Sequence, residues 1–100
     1  MSMFDKLDSV VVRFEILTEK MADPSLYERQ SEFKAISSER ANLEDVVIAY
    51  KKYKQIKEDI AEAKDMLQET DPEMKEMAKE VLDENEPLVP HIEEELTLLL

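Results

Sequence analysis

His91 and Glu95 stand four residues apart, a spacing that on a helix puts an imidazole and a carboxylate on one face, where two metal ligands could sit. One histidine beside an acidic run does not complete a donor set, and a solvated polar face accounts for the pair. Glu93-Glu94-Glu95 offers carboxylate oxygens for calcium, but no loop in the sequence has the oxygen spacing that calcium needs. Nucleophile–base chemistry needs a histidine or a perturbed carboxylate in a pocket. The only other concentrated chemistry is basic: Lys51, Lys52, Lys54 and Lys57, interleaved with Tyr50 and Tyr53. Such a segment could grip phosphates and stack bases. Alternatively, the tyrosines belong to an apolar seam with their hydroxyls at its edge.

Composition narrows the choice. The chain has 100 residues, enough for one domain with a modest core. It has no cysteine, so no disulfide framework, zinc knuckle or thiol nucleophile, which is compatible with a reducing cytoplasm. It has no glycine, which removes every phosphate-cradling glycine loop. No apolar run approaches 18 residues, so no membrane span is expected, and the N-terminus lacks the pattern of a signal peptide. The net charge of −12 is uneven: residues 1–57 carry 10 basic and 10 acidic side chains, residues 58–100 carry 3 and 15. Bulk charge of this sign is unfavourable for nucleic acid.

The elements that must carry these residues are helices. Phe4, Leu7, Val11, Phe14, Leu17 and Met21 form a first apolar stripe. Phe33, Ile36, Leu43, Val47, Tyr50, Tyr53, Ile56, Ile60, Ala63 and Leu67 form a second, interrupted by Arg40. Met74, Met77, Val81, Leu88, Ile92, Leu96 and Leu99 form a third, with Asn85 in an apolar slot. A mean spacing near 3.5 keeps each seam on a partner helix. The six methionines read as core filler.

Asp23-Pro24 and Asp71-Pro72 each place a capping carboxylate before a proline at the first helical position. Helices are expected at about 3–21, 25–69 and 72–99, joined by tight turns. Ser37-Ser38 to Asn42 is the expected weak point of the long one, because Ser and Asn compete for backbone bonds. Pro87 and Pro90 should kink or break the third helix near 86–90. The fold class expected is all-α: an elongated antiparallel three-helix coiled-coil-like bundle. Its thinness leaves little room for a pocket, so no catalytic, cofactor or metal residue is assigned and the chain is not expected to be an enzyme. The end in "LTLLL" suggests a piece of something longer.

"AYKKYKQIKEDIAEAKDML", followed by "DPEMKEMAKEVL" and "EEELTLLL", resembles the N-terminal domain of bacterial peptide chain release factors, and "MFDKLDSVVVRFEILTEKMADP" fits the same domain. The likeness covers nearly the whole chain, residues 1–100, and is closer to the branch that reads UAA and UAG. Family members usually run as uninterrupted helix where this chain has Pro87 and Pro90. The family's Gly-Gly-Gln tripeptide and the codon-reading Pro-Xaa-Thr are both absent and would lie beyond residue 100.

The resemblance implies a cytoplasmic role in translation termination. This domain would be a docking arm on the stalk-base region of the ribosome, touching rRNA and protein. It would be linked to the class 2 release factor GTPase, with no membrane, small-molecule substrate or hydrolysis of its own. The competing reading is a coiled-coil adaptor or chaperone-like helical module unrelated to translation.

For the lysines two roles remain. An antiparallel third helix with a turn at 70–71 would bring Lys57 to Asp83, Glu84 and Glu86, and Lys51 or Lys52 to Glu93 and Glu94. The preferred role is this pairing. The other is ribosome contact through Lys51, Lys52, Lys54 and Lys57, since surface ion pairs are weak enough to be exchanged for phosphate.

Overall fold

A computed structural model describes all residues 1–100. They form four α-helices and no strand: α1 (Met3–Met21), α2 (Gln30–Met66), α3 (Pro72–Asn85) and α4 (Leu88–Leu99), with a short 3-10 turn at Pro24–Glu28 between α1 and α2. The expected all-α helical bundle is found. No helix is long and apolar enough to cross a membrane. The chain packs as two compact units, Met1–Ile48 and Ala49–Leu98, and α2 contributes its first part to one and its second to the other.

Local chemistry sets most helix ends. Ser2 Oγ accepts from the Asp5 N–H at 3.1 Å while Asp5 Oδ2 accepts from the Ser2 N–H at 3.2 Å, a reciprocal cap that starts α1. Asp23 accepts from the Ser25 N–H at 3.0 Å and its hydroxyl at 2.9 Å; these bonds hold the Asp23 carboxyl below its usual pKa. Asp71 accepts from the Glu73 N–H at 2.9 Å and starts α3 at Pro72. Both Asp-Pro signals are therefore caps. No residue has a positive φ, so the glycine-free chain turns using only backbone that any residue adopts.

Three expectations about boundaries need correction. The second helix starts at Gln30, not 25, because Pro24–Glu28 winds as a 3-10 turn and Arg29 leaves the helical region (φ −110°, ψ 75°). The cause is Leu26. It is buried against Leu17 and Ile36, with Met21, Phe33 and Leu43 around them. One straight helix would hold Leu26 and Ile36 about 15 Å apart along its axis, and the break lets both enter one cluster. At the other end α2 stops at Met66 rather than 69. The segment Ser37-Ser38 to Asn42 is not a weak point: α2 is continuous through it, with Ile36 buried and Leu43 half-buried on either side.

The third stripe is partly misplaced. Met77 is 59% exposed and Met74 is exposed too, whereas Ala78 and Leu82 are buried. The contact face of α3 thus keeps Val81 and Asn85, both half-buried, but takes in Ala78 and Leu82 in place of Met74 and Met77. The break expected near Pro87 and Pro90 is present: α3 ends at Asn85 and α4 begins at Leu88. Pro90 falls in the first turn of α4, where its missing N–H has no partner to lose.

Within the first unit α1 lies antiparallel to the start of α2. Arg13 grips Glu39 through two parallel bonds (Nε to Oε2 2.6 Å, Nη2 to Oε1 2.8 Å), which holds the Glu39 carboxyl below its usual pKa. Arg40, the polar interruption of the stripe, donates from Nε to Thr18 Oγ1 at 2.9 Å. Its guanidinium lies 4.4 Å from the centre of the Phe14 ring. It occupies a seam position by covering an aromatic face and leaving its charge at the rim.

Candidate interaction surface

The basic segment lies on the second part of α2. Tyr50, Tyr53, Ile56, Ile60 and Ala63 recur at three- and four-residue steps and are all buried, which fixes the rotation of the helix. That rotation places the lysines. Lys51, Lys54 and Lys57 step by three, so each turns back about 60° from the last and the three form a diagonal row. Lys52 lies about 100° from Lys51 and 160° from Lys54, off the row. All four are exposed.

One of the row is anchored by the surface beneath it, and another borders a groove. The Lys54 ammonium sits 4.4 Å above the centre of the Tyr50 ring, a cation–π contact that holds the charge beside the seam. Lys57 lines a shallow groove of about 210 Å³ with Ile60, Lys64, Glu86, Val89 and Pro90. Lys64 is not among the four lysines singled out by sequence. Its signal is nonetheless there: it stands seven residues after Lys57, so the heptad that aligns the seam also aligns these two cations.

The tyrosines are seam residues and not a platform for bases. Their rings lie 6.5 Å apart and nearly parallel, at 18°, with both residues over nine-tenths buried. Burial, then the charge of Glu93 and the hydrogen bond that the Tyr53 hydroxyl donates to it, raise the Tyr53 pKa above the usual tyrosine value. A raised folded pKa means that this stabilisation is complete below the unfolded value. It is lost as pH climbs from about 10 through the folded value. Tyr53→Phe should therefore cost about 0.5–1.5 kcal/mol at neutral pH and flatten the fall in stability at alkaline pH. Denaturant melts from neutral to strongly alkaline pH check both, and an unchanged alkaline limb would show that Tyr53 does not carry it.

Glu93 is thus bonded to Tyr53, not to Lys51 or Lys52. Ion pairs form at Arg13–Glu39, Arg29–Glu32 and Arg40–Glu44, and none involves Lys51, Lys52 or Lys57. The ion pairs expected for Lys51, Lys52 and Lys57 are not formed. Of the three carboxylates expected opposite Lys57, Glu86 shares a groove with it, along with Val89 and Pro90, while Asp83 and Glu84 do not line that groove. His91 and Glu95 are exposed on α4. A row of ammonium groups on a rigid helix is suited to point-charge contact with successive phosphates.

Residues 10–100 match the family model of the PCRF domain. Among curated proteins, the chain is 39% identical over 98 residues to peptide chain release factor 1 of Maridesulfovibrio salexigens, covering 98% of this chain and 28% of that protein. It is 40% identical over 100 residues to peptide chain release factor 1 of Bacteroides fragilis, covering 99% and 27%. The same factor of Streptococcus pyogenes is 38% identical over 102 residues, covering 100% and 28%. The chain spans little more than a quarter of the length of these relatives. No solved structure gives a significant match.

Proposed function

The chain belongs to the PCRF-domain family, and from that membership we propose that it serves as the N-terminal domain of a release factor 1 in translation termination at UAA and UAG codons. In this reading it acts in the cytoplasm as a docking arm on the stalk-base region of the ribosome, meeting rRNA and protein. The class 2 release factor GTPase is its second partner. The carrying observation is likeness to release factor 1 proteins along nearly the whole chain. In this reading codon recognition and peptide release belong to other parts of such a factor, since the chain has no Pro-Xaa-Thr and no glycine for a Gly-Gly-Gln tripeptide.

Lys51, Lys52, Lys54 and Lys57 are the proposed ribosome contacts, and the geometry ranks them. Lys51, Lys54 and Lys57 share a row, Lys64 extends it, and Lys52 points elsewhere. Each phosphate contact contributes about 0.7–0.9 to the slope of log affinity against log salt. Replacing Lys51, Lys54 and Lys57 together by Gln should therefore weaken ribosome binding and reduce that slope by about 2–3. Lys52→Gln alone should change it little, and Lys64→Gln should behave like Lys57→Gln. Binding to purified ribosomes across a salt series, with melting curves as control, makes the test. An unchanged slope in the triple variant would refute the phosphate role. Lost melting temperature with intact binding would restore the pairing role.

A further inference from the structure

The first unit carries a groove of about 590 Å³, roomier than the groove beside Lys57, lined by Tyr27, Gln30, Ser31, Phe33, Lys34 and Ser37. Three features set it apart. Tyr27 is 60% exposed, unusual for a large ring in this chain, whose other two tyrosines are buried. That ring is nonetheless braced: its centre is 5.0 Å from the Phe33 ring at a 37° tilt, and Phe33 packs against Leu17, Leu26 and Ile36. The charge on the groove wall is a single cation, Lys34, with no carboxylate, although the chain as a whole carries −12.

Two acids adjoin groove residues in sequence, Glu28 next to Tyr27 and Glu32 next to Ser31 and Phe33, and neither is among the lining residues. Glu32 bonds Arg29 at 2.7 Å, and neither lines the groove. Gln30, Ser31, Lys34 and Ser37 share one face of α2, being separated by one, four and seven residues from Gln30. The wall thus combines one fixed aromatic face, one ammonium, one amide and two hydroxyls. That set matches a nucleotide: a base stacks on the ring, its edge meets the amide and hydroxyls, and its phosphate meets the ammonium. A peptide would have to bring an aromatic ring and a carboxylate together from two residues to use the same wall, whereas a nucleotide carries ring, polar edge and anion in one unit. A duplex would keep its bases stacked on each other and out of reach of Tyr27.

We infer that this groove takes one unpaired nucleotide of a single-stranded RNA, its base stacked on Tyr27 and its phosphate on Lys34. The inference stands on residues separate from the lysine row, so the two fail separately. It deepens the proposed ribosomal role, on which it rests for its RNA, by giving the arm a second contact of a different kind, stacking in place of point charge.

The test is titration of the whole chain with a fluorescein-labelled oligoadenylate 12-mer at low salt. Tyr27→Ala should weaken binding about 5- to 100-fold, Tyr27→Phe should retain it, and Lys34→Gln should lower the salt slope by about 0.7. The same sequence as a duplex should compete poorly. Tyr27 is exposed, so its variants should melt as the parent does; if Tyr27→Ala does not, Tyr27→Phe and Lys34→Gln still decide. Binding that ignores both Tyr27→Ala and Lys34→Gln but falls in the Lys51, Lys54 and Lys57 triple variant would overturn the groove and leave the row standing. No binding of the oligonucleotide by the parent would also overturn it, and would leave the groove to a protein side chain.

Discussion

Leu17→Ala is expected to cost about 2–5 kcal/mol of stability, the range for emptying a fully buried leucine site. Leu17 has no exposed surface and is packed with Leu26 and Ile36, ringed by Met21, Phe33 and Leu43. This cluster joins three elements, α1, the 3-10 turn and α2, so the void cannot close by moving one side chain. Collapse would require the turn itself to shift, and that turn is fixed by the Asp23 cap and by Leu26. A domain of this size has only ~5–15 kcal/mol in all, so the loss is a large share. Val12→Ala, on the same helix but 55% exposed, is the matched control and should lie within ~0.5 kcal/mol of the parent. Urea melts followed by circular dichroism supply both values. A cost for Leu17→Ala below about 1 kcal/mol would mean that the cluster is not the core of this unit.

The features legible in the sequence are those decided within a few residues. Asp23-Pro24 and Asp71-Pro72 cap the next turn of chain because a carboxylate two residues from an N–H needs no distant help. Pro87 and Pro90 divide α3 from α4 for a similarly local reason. The illegible features depend on tertiary partners. Arg40 is a flaw in the seam by periodicity alone, and becomes a fit only when Phe14 and Thr18 supply a face and an acceptor. Met77 and Ala78 both suit an apolar stripe. The structure buries Ala78 and leaves Met77 exposed, a choice that periodicity alone does not make.

The lysine row shows the same dependence. Counting residues across a tight turn at 70–71 sets Lys57 opposite Asp83, Glu84 and Glu86, and any change in that turn displaces partners along the helix. In the structure Tyr53 meets Glu93, and Lys51, Lys52 and Lys57 form none of the ion pairs expected of them. The residue types of the candidate surface were legible, and their electrostatic state was not. The groove at Tyr27 is hidden from the sequence for a related reason. Its wall needs the 3-10 turn, and nothing in the periodicity of residues 24–30 distinguishes that turn from the start of a long helix.

Ser38→Pro is expected to cost about 3 kcal/mol or more, the penalty for proline inside a helix. The prediction discriminates because the local sequence argues the other way. Ser37, Ser38 and Asn42 are poor helix formers, and if α2 frayed or bent there, a proline at 38 would be nearly free. In the structure α2 runs unbroken from Gln30 to Met66, so residue 38 has helical neighbours on both sides. Proline there would remove one backbone bond and press its ring on the carbonyl of Lys34. Ser38 is exposed, so the loss cannot be assigned to packing. Ser38→Ala should move the other way. It keeps the backbone bond, improves helix propensity, and should stabilise by up to ~0.5 kcal/mol. Contrast within the same chain comes from Pro90, already present in the first turn of α4, where no such bond exists to be lost. Pro90→Ala should therefore change stability far less than Ser38→Pro does. Helix content by far-ultraviolet circular dichroism and denaturant midpoints for the three variants separate the outcomes. If Ser38→Pro melts with the parent, α2 is two helices meeting near residue 38, and the serines are the break they resemble.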